Sequence, residues 1–481
     1  MKNQVQLITY IDRLAGADAK ALSAMLAGPL SGLFGGVHLL PFFYPINGSD
    51  AGFDPIDHTR VDPLLGSWQD ISQLGEQQPL MADLIVNHMS ADSPEFQDVL
   101  AKGEASPYWD LFLTRDKVFT DADDPSIQRI YRPRDTSCFT HYTLADGREI
   151  PFWTTFTSKQ IDIDVNSEAG QAYLSRILDT FADNGITMIR LDAAGYAIKK
   201  AGSRCFMLDE TYEFINQLAG QARQRGIDTL VEIHSHHQTQ VDIAKRVDRV
   251  YDFALPPLVL HALFSADVVP LLRWLDMAPR NCVTVLDTHD GIGIIDVGPM
   301  EGKPGLLNDA QIDQLVEQIH HNSGGQSRQA TGAAASNVDL YQVNCTYYDA
   351  LGGDDGAYLI ARAIQFFCPG VPQVYYGGLL TERNDMALLA KTQVGRDINR
   401  PYLTEDKVDA ALERPVVAQL CELIRLRNTH PAFNGHFSMQ GEGGKLVLTW
   451  EKDEQQIQLS VELPSRRAII RASGQPDWLI A

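Results

Sequence analysis

Cysteine is scarce in this sequence, and no two cysteines form a C-x-x-C pair. The six cysteines of the 481 residues are Cys138, Cys205, Cys282, Cys345, Cys368 and Cys421. Closely spaced cysteines are typical of zinc sites and of small secreted domains, so their absence argues against both. Residues 1–3 run directly into a strand-like segment, so we expect no secretory leader. We therefore expect reduced, buried thiols in a cytoplasmic protein.

Long apolar runs and excess basic charge are also lacking. The best candidate for a membrane span, residues 250–275, is interrupted by charged residues such as Asp267 and Arg273, and it is typical of a buried strand, a loop and a helix. Lys and Arg number 40 against 62 Asp and Glu, which gives a formal net charge of −22. Such a surface repels nucleic acid and anionic membranes. We expect neither as a partner, and an anionic substrate would need a local cationic spot.

Apolar residues make up 44% of the chain and occur mostly in short runs that alternate with helix-like segments. Continuous runs of this kind are typical of strands that are buried on both faces of a parallel sheet. The expected strands are residues 4–10, 35–40, 79–86, 186–192, 229–232, 249–253, 282–286 and 373–376. Eight strands with intervening helices predict an α/β fold, a closed (β/α)8 TIM barrel rather than an open sheet.

Two long stretches, residues 88–166 and 291–352, interrupt this alternation. Each follows an expected strand, so each is predicted to be an inserted subdomain or lid on the catalytic face. Beyond residue 433, alternation at period two predicts a small antiparallel β domain. The expected division is barrel 1–87, inserted domain B 88–166, barrel 167–290, inserted domain B′ 291–352, barrel 353–432 and C-terminal β domain 433–481.

Charged residues stand at the ends of two neighbouring strands. Arg190 and Asp192 point the same way, so the guanidinium is expected to lower the pKa of the Asp192 carboxyl group and keep it ionised, as a nucleophile requires. Glu232 ends the next strand, where burial favours the protonated form that a general acid needs. Taken alone, the spacing of Arg190 and Asp192 is more typical of a structural ion pair. Glu232 taken alone is more typical of a helix-capping or surface glutamate.

Polar residues also follow the strand that ends at residues 83–88 and the one that ends at residues 287–290. The first is compatible with an ordinary polar strand exit, and the second with a polar loop or a metal site. Because the carboxyl ends of barrel strands meet at one mouth, the four segments together predict one site. The set has no Ser–His pair, phosphate-binding Gly loop or Cys/His cluster. Paired carboxylates are typical of enzymes that cleave glycosidic bonds.

These four segments, in this order, resemble the four signature regions of the α-amylase superfamily, glycoside hydrolase family 13. The resemblance covers nearly the whole chain and implies Asp192 as nucleophile, Glu232 as acid/base and Asp290 as transition-state stabiliser. Five further segments are similar to sucrose phosphorylases. They are residues 52–59, 250–257, 285–293, 334–344 and 395–400.

The resemblance to sucrose phosphorylases implies roles for further residues. Those expected to bind the glucosyl unit or lie near the acceptor are Asp50, Phe53, His88, Phe156, Arg190, Tyr196, His234, His289 and Arg396. Those expected at the fructose or phosphate side are Arg134, Asp339, Tyr341 and Gln342. Arg134 is the candidate cation for phosphate, although a plain surface arginine is as good an interpretation. The family uses no pyridoxal phosphate and is often dimeric, and no metal site is expected.

The implied function is the reversible phosphorolysis of sucrose through a covalent β-glucosyl-enzyme, with phosphate as co-substrate. Phosphorylases acting on sucrose 6′-phosphate, glucosylglycerol or glucosylglycerate share this chemistry, and a hydrolase is also possible because water competes for the same intermediate. An alternative of another class is a barrel that has lost catalysis and serves as an interaction or transport subunit. The presence of Asp192, Glu232 and Asp290 argues against that alternative.

Overall fold

The computed structural model describes residues 1–48, 50–132, 137–332 and 340–480. Eight parallel strands form a closed barrel in which each strand pairs with the next along the chain and the last pairs with the first. The strands are β1 (Gln6–Thr9), β2 (Val37–Leu39), β3 (Leu80–Ile85), β4 (Ile186–Asp192), β5 (Asp228–Val231), β6 (Val250–Asp252), β7 (Cys282–Thr284) and β8 (Val371–Tyr375). This confirms the predicted (β/α)8 barrel.

Helices lie between the barrel strands. Those of eight or more residues are α1 (Ala19–Ala27), α2 (Trp68–Gln77), α3 (Pro94–Lys102), α4 (Glu168–Asp183), α5 (Asp209–Gln224), α6 (His237–Ala244), α7 (Leu255–Ser265), α8 (Val269–Met277), α9 (Asp309–Asn322), α10 (Asp355–Phe367), α11 (Glu405–Leu412) and α12 (Pro415–Thr429). Helix α4 shows why they form. The Ser167 hydroxyl caps its start by accepting from the Gly170 N–H at 2.9 Å, and Tyr173, Ile177 and Phe181 form its buried stripe.

The register of β3 against β4 places the key charges side by side. Arg190 is paired with Asp83 across the two strands, and Asp192 is paired with Ile85. All six residues of β3 are buried, so the carboxylate of Asp83 is enclosed by protein rather than exposed to water. A buried arginine beside a buried carboxylate is therefore built into the barrel wall itself.

Short antiparallel strand pairs follow the carboxyl ends of β3 and β7. After β3, strand His88–Ser90 pairs with Gln160–Asp162, and Phe139–Thr143 pairs with Glu149–Trp153. After β7, Ile292–Gly293 pairs with Gln342–Val343. These elements follow strand ends, as expected of insertions on the catalytic face. The boundaries of the inserted domains stay a prediction.

A five-stranded antiparallel sheet ends the chain, as predicted. Its strands are β9 (His436–Glu442), β10 (Lys445–Lys452), β11 (Gln455–Glu462), β12 (Arg467–Ala472) and β13 (Trp478–Leu479). Leu446 and Leu448 point to its buried face, and the Trp450 indole donates to the Phe367 carbonyl at the end of α10. The sheet therefore shares its core with the barrel helices.

All six cysteines lie in the described part of the chain, and each is buried and unpaired, as expected. Across the described ranges, no helix combines the length and the apolar character that a membrane span requires.

Candidate active site

One pocket at the carboxyl end of the barrel contains most of the residues that the sequence singled out. It is lined by Asp50, Phe53, His88, Phe156, Asp192, Ala193, Tyr196, Glu232, His234, His289, Asp290, Tyr341, Gln342 and Arg396. Arg190 lies in the barrel wall beside it and is almost fully buried. Arg134 and Asp339 lie outside the described residues. Residues far apart in sequence thus meet at one mouth, as barrel topology requires.

Arg190 joins three carboxylates at the floor of this pocket. Its guanidinium Nη1 donates to the Asp192 carboxylate at 2.9 Å and to Asp83 at 2.6 Å, and its Nη2 lies 3.8 Å from a Glu232 carboxylate oxygen. The carboxyl groups of Asp192 and Glu232 therefore both lie within reach of one guanidinium. Two closely spaced carboxyl groups are what a retaining glycosyl transfer needs.

Asp83 holds Arg190 in place from below. Its second carboxylate oxygen lies 3.0 Å from His38 Nε2, and the side chain is fully buried. Burial raises the pKa of Asp83, but His38 and Arg190 outweigh this effect and lower the pKa to about 2. Asp83 is thus a permanent anion that fixes the arginine.

The pKa of Asp192 differs from the sequence-based expectation. Arg190 does lower it, but burial and the neighbouring carboxylates of Glu232 and Asp83 raise it more strongly, so the pKa of Asp192 lies well above its usual range. The expectation of a net lowering was wrong because the sequence pattern showed only the cation and not the carboxylates on adjacent strands. Burial and the adjacent carboxylates thus oppose the negative charge of Asp192, and Arg190 favours it.

The chain turns sharply immediately after Asp192. Ala193 has φ of +56°, in the left-handed region that residues other than glycine rarely adopt. The turn carries Tyr196 back over the pocket, where its ring packs against Phe156 and Phe206 with centroids 5.2 and 4.9 Å apart. Unfavourable backbone geometry beside a functional residue is typical of an active site.

Asp290 is paired with cations rather than arranged for a metal. Its carboxylate lies 2.9 Å from Arg396 and 3.8 Å from Arg400. Burial raises the pKa of Asp290, but Arg396, His289 and the other arginines outweigh it, and the pKa falls well below its usual range. Asp287 points away to Arg362 at 2.7 Å. Both carboxylates are thus engaged by arginines, and among the described residues no group of three or more His, Cys, Asp or Glu is placed to hold a metal ion. That the site needs no metal stays a prediction.

Aromatic rings and polar groups form the side of the pocket expected to bind glucose. Phe53 stacks on His289 with ring centroids 5.2 Å apart, and its carbonyl accepts from His88 Nε2 at 3.1 Å. Asp50 accepts from Gln160 at 3.1 Å. Burial lowers the pKa of His88 and, with Arg190 and Arg400 nearby, lowers that of His289 to about 3. Both imidazoles are thus neutral and suited to hydrogen bonding with sugar hydroxyls.

The opposite side of the pocket carries residues expected near the acceptor. His234 stacks on Phe253 with centroids 3.8 Å apart, and its Nε2 lies 3.7 Å from Glu232. The Tyr341 ring lies 5.3 Å from the His234 ring, and Gln342 accepts from Arg396 at 3.3 Å. Residues from the stretch after β7 thus reach the pocket.

Sequence reasoning missed several side chains that support this site. The ammonium of Lys199 is buried and donates to the side chains of Asn87 and Asp162, both at 2.7 Å, which joins the end of β3 to the segment that follows β4. Gln160 holds Asp50, and Asp296 contacts His234. Lys199, Gln160 and Asp296 stand in no strand-end motif, so the sequence carries no local signal for them.

Comparison with known proteins agrees with this geometry. Residues 33–251 match the model of the α-amylase catalytic domain. The chain is 59% identical to a sucrose phosphorylase of Agrobacterium vitis, covering 99% of both chains. It is 51% identical to that of Bifidobacterium adolescentis, covering 96% of this chain and 92% of the relative. The crystal structure of sucrose 6F-phosphate phosphorylase from Thermoanaerobacter thermosaccharolyticum superposes with a TM-score of 0.92 at 38% identity, over 100% of this chain and 99% of that one.

The likenesses to the two sucrose phosphorylases and to the solved structure span the barrel, the insertions and the C-terminal sheet together. The expected α-amylase relationship is confirmed, and the interpretation as a non-catalytic subunit is not needed because the carboxylates lie in one pocket. The chain belongs to the sucrose phosphorylase family of the α-amylase superfamily and is a glycosyl-transferring phosphorylase.

Proposed function

We propose that this enzyme catalyses the reversible phosphorolysis of sucrose to α-D-glucose 1-phosphate and D-fructose by a retaining double displacement. The observation that carries the mechanism is the placement of Asp192 and Glu232 around the single guanidinium of Arg190. Retaining enzymes hold their two carboxyl groups about 5–5.5 Å apart, close enough for one of them to act as nucleophile. The names of the two sucrose phosphorylases that this chain resembles support the choice of substrate.

In the first half-reaction, Glu232 gives its proton to the fructosyl oxygen while Asp192 attacks the anomeric carbon. The carbon–oxygen bond to fructose breaks, and a β-glucosyl ester of Asp192 forms. In the second, a phosphate oxygen attacks the same carbon, its proton passes to Glu232, and the Asp192 carboxylate leaves, so both residues return to their starting forms. Two inversions give net retention. Asp290, paired with Arg396, faces the pocket as a fixed negative charge that stabilises the oxocarbenium-like transition state.

The first step needs a proton on Glu232 and the negative charge on Asp192. Arg190 contacts Asp192 at 2.9 Å and Glu232 at only 3.8 Å, so it favours the negative charge on Asp192.

The charge of the pocket favours a neutral acceptor. The carboxylates of Asp50, Asp192, Glu232 and Asp290 line it, and Arg396 is already paired with Asp290. Asp339, which lies outside the described residues, would add another negative charge if it contacts the acceptor. Such a site repels the phosphate of fructose 6-phosphate and the carboxylate of glycerate.

We therefore expect fructose to be the fastest acceptor in the reverse reaction. The measurement is phosphate release from glucose 1-phosphate with fructose, fructose 6-phosphate, glycerol and glycerate at equal concentration. Glycerol is the hardest competitor because it is also neutral. Fastest release with any acceptor other than fructose would defeat the sucrose assignment while leaving the roles of Asp192 and Glu232 intact. In the forward direction, sucrose and phosphate should give glucose 1-phosphate and fructose in equal amounts.

Phosphate itself must enter an acidic pocket. We propose that Arg134 and Tyr341 bind it, since an arginine fork matches phosphate oxygens and a phenol can donate to one. Because the Asp339 carboxylate and phosphate would repel each other, we propose that the two do not occupy the acceptor side together. A homodimeric state, a cytoplasmic location and the lack of nucleic-acid or membrane partners stay predictions.

We propose that the reaction needs neither a metal ion nor pyridoxal phosphate. The strand-end carboxylates are engaged by arginines, as for Asp290 with Arg396 and Asp83 with Arg190. The expected result is full phosphorolytic activity after exhaustive treatment with chelator, measured against an untreated sample. A large loss that added calcium or magnesium restores would contradict this proposal.

A further inference from the structure

His234 is held by a buried carboxylate that the proposed mechanism does not use. Its Nδ1 lies 3.0 Å from Asp296, whose side chain is fully buried. The other ring nitrogen, Nε2, lies 3.7 Å from the Glu232 carboxylate. The three side chains thus form a line from the interior to the pocket, with Asp296 on the segment that follows β7 and Glu232 just after β5.

Asp296 is itself held so that both of its oxygens accept hydrogen bonds. One oxygen accepts from the Gln240 amide at 2.5 Å and from the Ser235 backbone N–H at 3.2 Å, and the other faces His234. With donors on one oxygen, the other oxygen is left to accept from the His234 ring. The imidazole therefore donates from Nδ1 to Asp296, which fixes the orientation of the ring.

Glycine at position 293 makes this approach possible. A Cβ atom at Gly293 would lie 2.6 Å from the Asp296 carboxylate and 3.5 Å from the His234 ring. From the other side, the Phe253 ring stacks on His234 with centroids 3.8 Å apart. The ring is therefore clamped between the two segments as well as hydrogen-bonded.

The charged and titratable groups that face His234 come from several elements. They are Asp296 and Tyr341 from the stretch after β7, Glu232 from the end of β5 and Asp290 from beyond β7. Burial lowers the pKa of His234, but Asp296, Glu232 and Asp290 together raise it above its usual value. The balance of neighbours favours the charged ring.

We propose that Asp296 is a positioning residue for the acid step: it keeps His234 as an imidazolium whose Nε2 side faces Glu232. This inference rests on the proposed acid/base role of Glu232. When Glu232 gives its proton to the leaving fructosyl oxygen, it becomes an anion beside a cation that is already in place. That preorganised charge lowers the barrier for poor leaving groups and matters little for leaving groups that need no proton.

The charge of His234 is tested directly by NMR of the full chain labelled with ¹⁵N-histidine. Wild type should show an imidazolium signal near neutral pH that disappears in His234→Gln. In Asp296→Asn the same ring should titrate at lower pH and be neutral there. A neutral His234 in wild type, or an unchanged one in Asp296→Asn, would overturn the proposal.

The consequence for catalysis is tested by comparing two donors. Asp296→Asn should reduce kcat/KM for sucrose by on the order of 10- to 100-fold, as is common when a partner that orients a functional histidine is removed. Phosphorolysis of α-glucosyl fluoride should change little. Equal losses on both donors would show a merely structural role.

Two further variants make the result specific. In a His234→Gln background, adding Asp296→Asn should have little further effect, since both changes remove the same cation. Asp252→Asn is the matched control, because Asp252 is a buried carboxylate at the end of β6 that accepts from Trp274 and the Leu255 N–H instead. It should leave the ratio of the two donors unchanged. Failure of the proposed function would appear separately, as equal losses on both donors in Glu232→Gln, whatever the NMR spectra show.

Discussion

Replacing Asp192 by asparagine is expected to lower turnover of sucrose by at least about 10⁴-fold, the scale of loss seen when a covalent nucleophile is removed. An amide oxygen cannot form the glucosyl ester on which the second half-reaction depends. Because the loss is chemical, activity on α-glucosyl fluoride should fall just as far. Initial rates of phosphorolysis on both donors measure the effect.

The fold should survive this substitution. In the wild-type chain the Arg190 guanidinium lies 2.9 Å from the Asp192 carboxylate. Asparagine keeps a side-chain oxygen that can accept the same hydrogen bond. Asparagine also has nearly the same size and shape as aspartate, so the packing around the side chain is kept. The melting temperature is the control, and it should change little. Near wild-type activity in an uncontaminated Asp192→Asn preparation would rule out Asp192 as nucleophile.

A smaller side chain at this position allows a stereochemical test. In Asp192→Ala, azide can occupy the space of the missing carboxylate and attack α-glucosyl fluoride from the β face. The expected product is the β-glucosyl azide, since one displacement inverts the anomeric centre. Formation of the α-azide would place Asp192 on the wrong side of the sugar.

The barrel could be predicted because each of its strands has a recognisable pattern of apolar residues in the local sequence. A strand buried on both faces reads as a continuous apolar run, as at residues 80–85, where all six residues are buried. Strand ends were less certain. The run at residues 282–286 was expected to be all strand, whereas β7 ends at Thr284 and Val285 and Leu286 leave the sheet while staying buried. The pattern of apolar residues predicts which positions are buried. The end of a strand is set by where its backbone hydrogen bonds to the neighbouring strands stop.

The residues that line the catalytic pocket could be predicted from the topology of the barrel. The side chains that hold those residues in place could not. Strand-end residues such as Asp192, Glu232 and Asp290 must meet because the strands are parallel and the barrel is closed. The contact of Asp296 with His234 spans 62 positions and depends on the path of a loop. The sign of the pKa shift at Asp192 likewise depends on carboxylates from adjacent strands. Neither the path of that loop nor the combined effect of several charges can be predicted from one segment of the sequence.

Replacing Glu232 by glutamine should separate donors by the quality of their leaving group. On sucrose, loss of the general acid is expected to reduce kcat by about 10²- to 10⁴-fold. Fluoride leaves with little protonation, so phosphorolysis of α-glucosyl fluoride should be largely retained, and phosphate, itself acidic, needs little help from a base to attack. Glutamine keeps the size of the side chain beside Arg190 and His234, so the pocket should stay intact.

Glu232→Ala with azide supplies the complementary stereochemical control. Asp192 remains, so the glucosyl ester still forms from α-glucosyl fluoride, and azide then attacks it from the side that Glu232 has vacated. Two displacements should give the α-glucosyl azide, the opposite anomer from that expected of Asp192→Ala. The two variants together assign each carboxylate to one face of the sugar. Equal losses on sucrose and fluoride in Glu232→Gln, or the same azide anomer from both alanine variants, would mean that the proton donor is a different group.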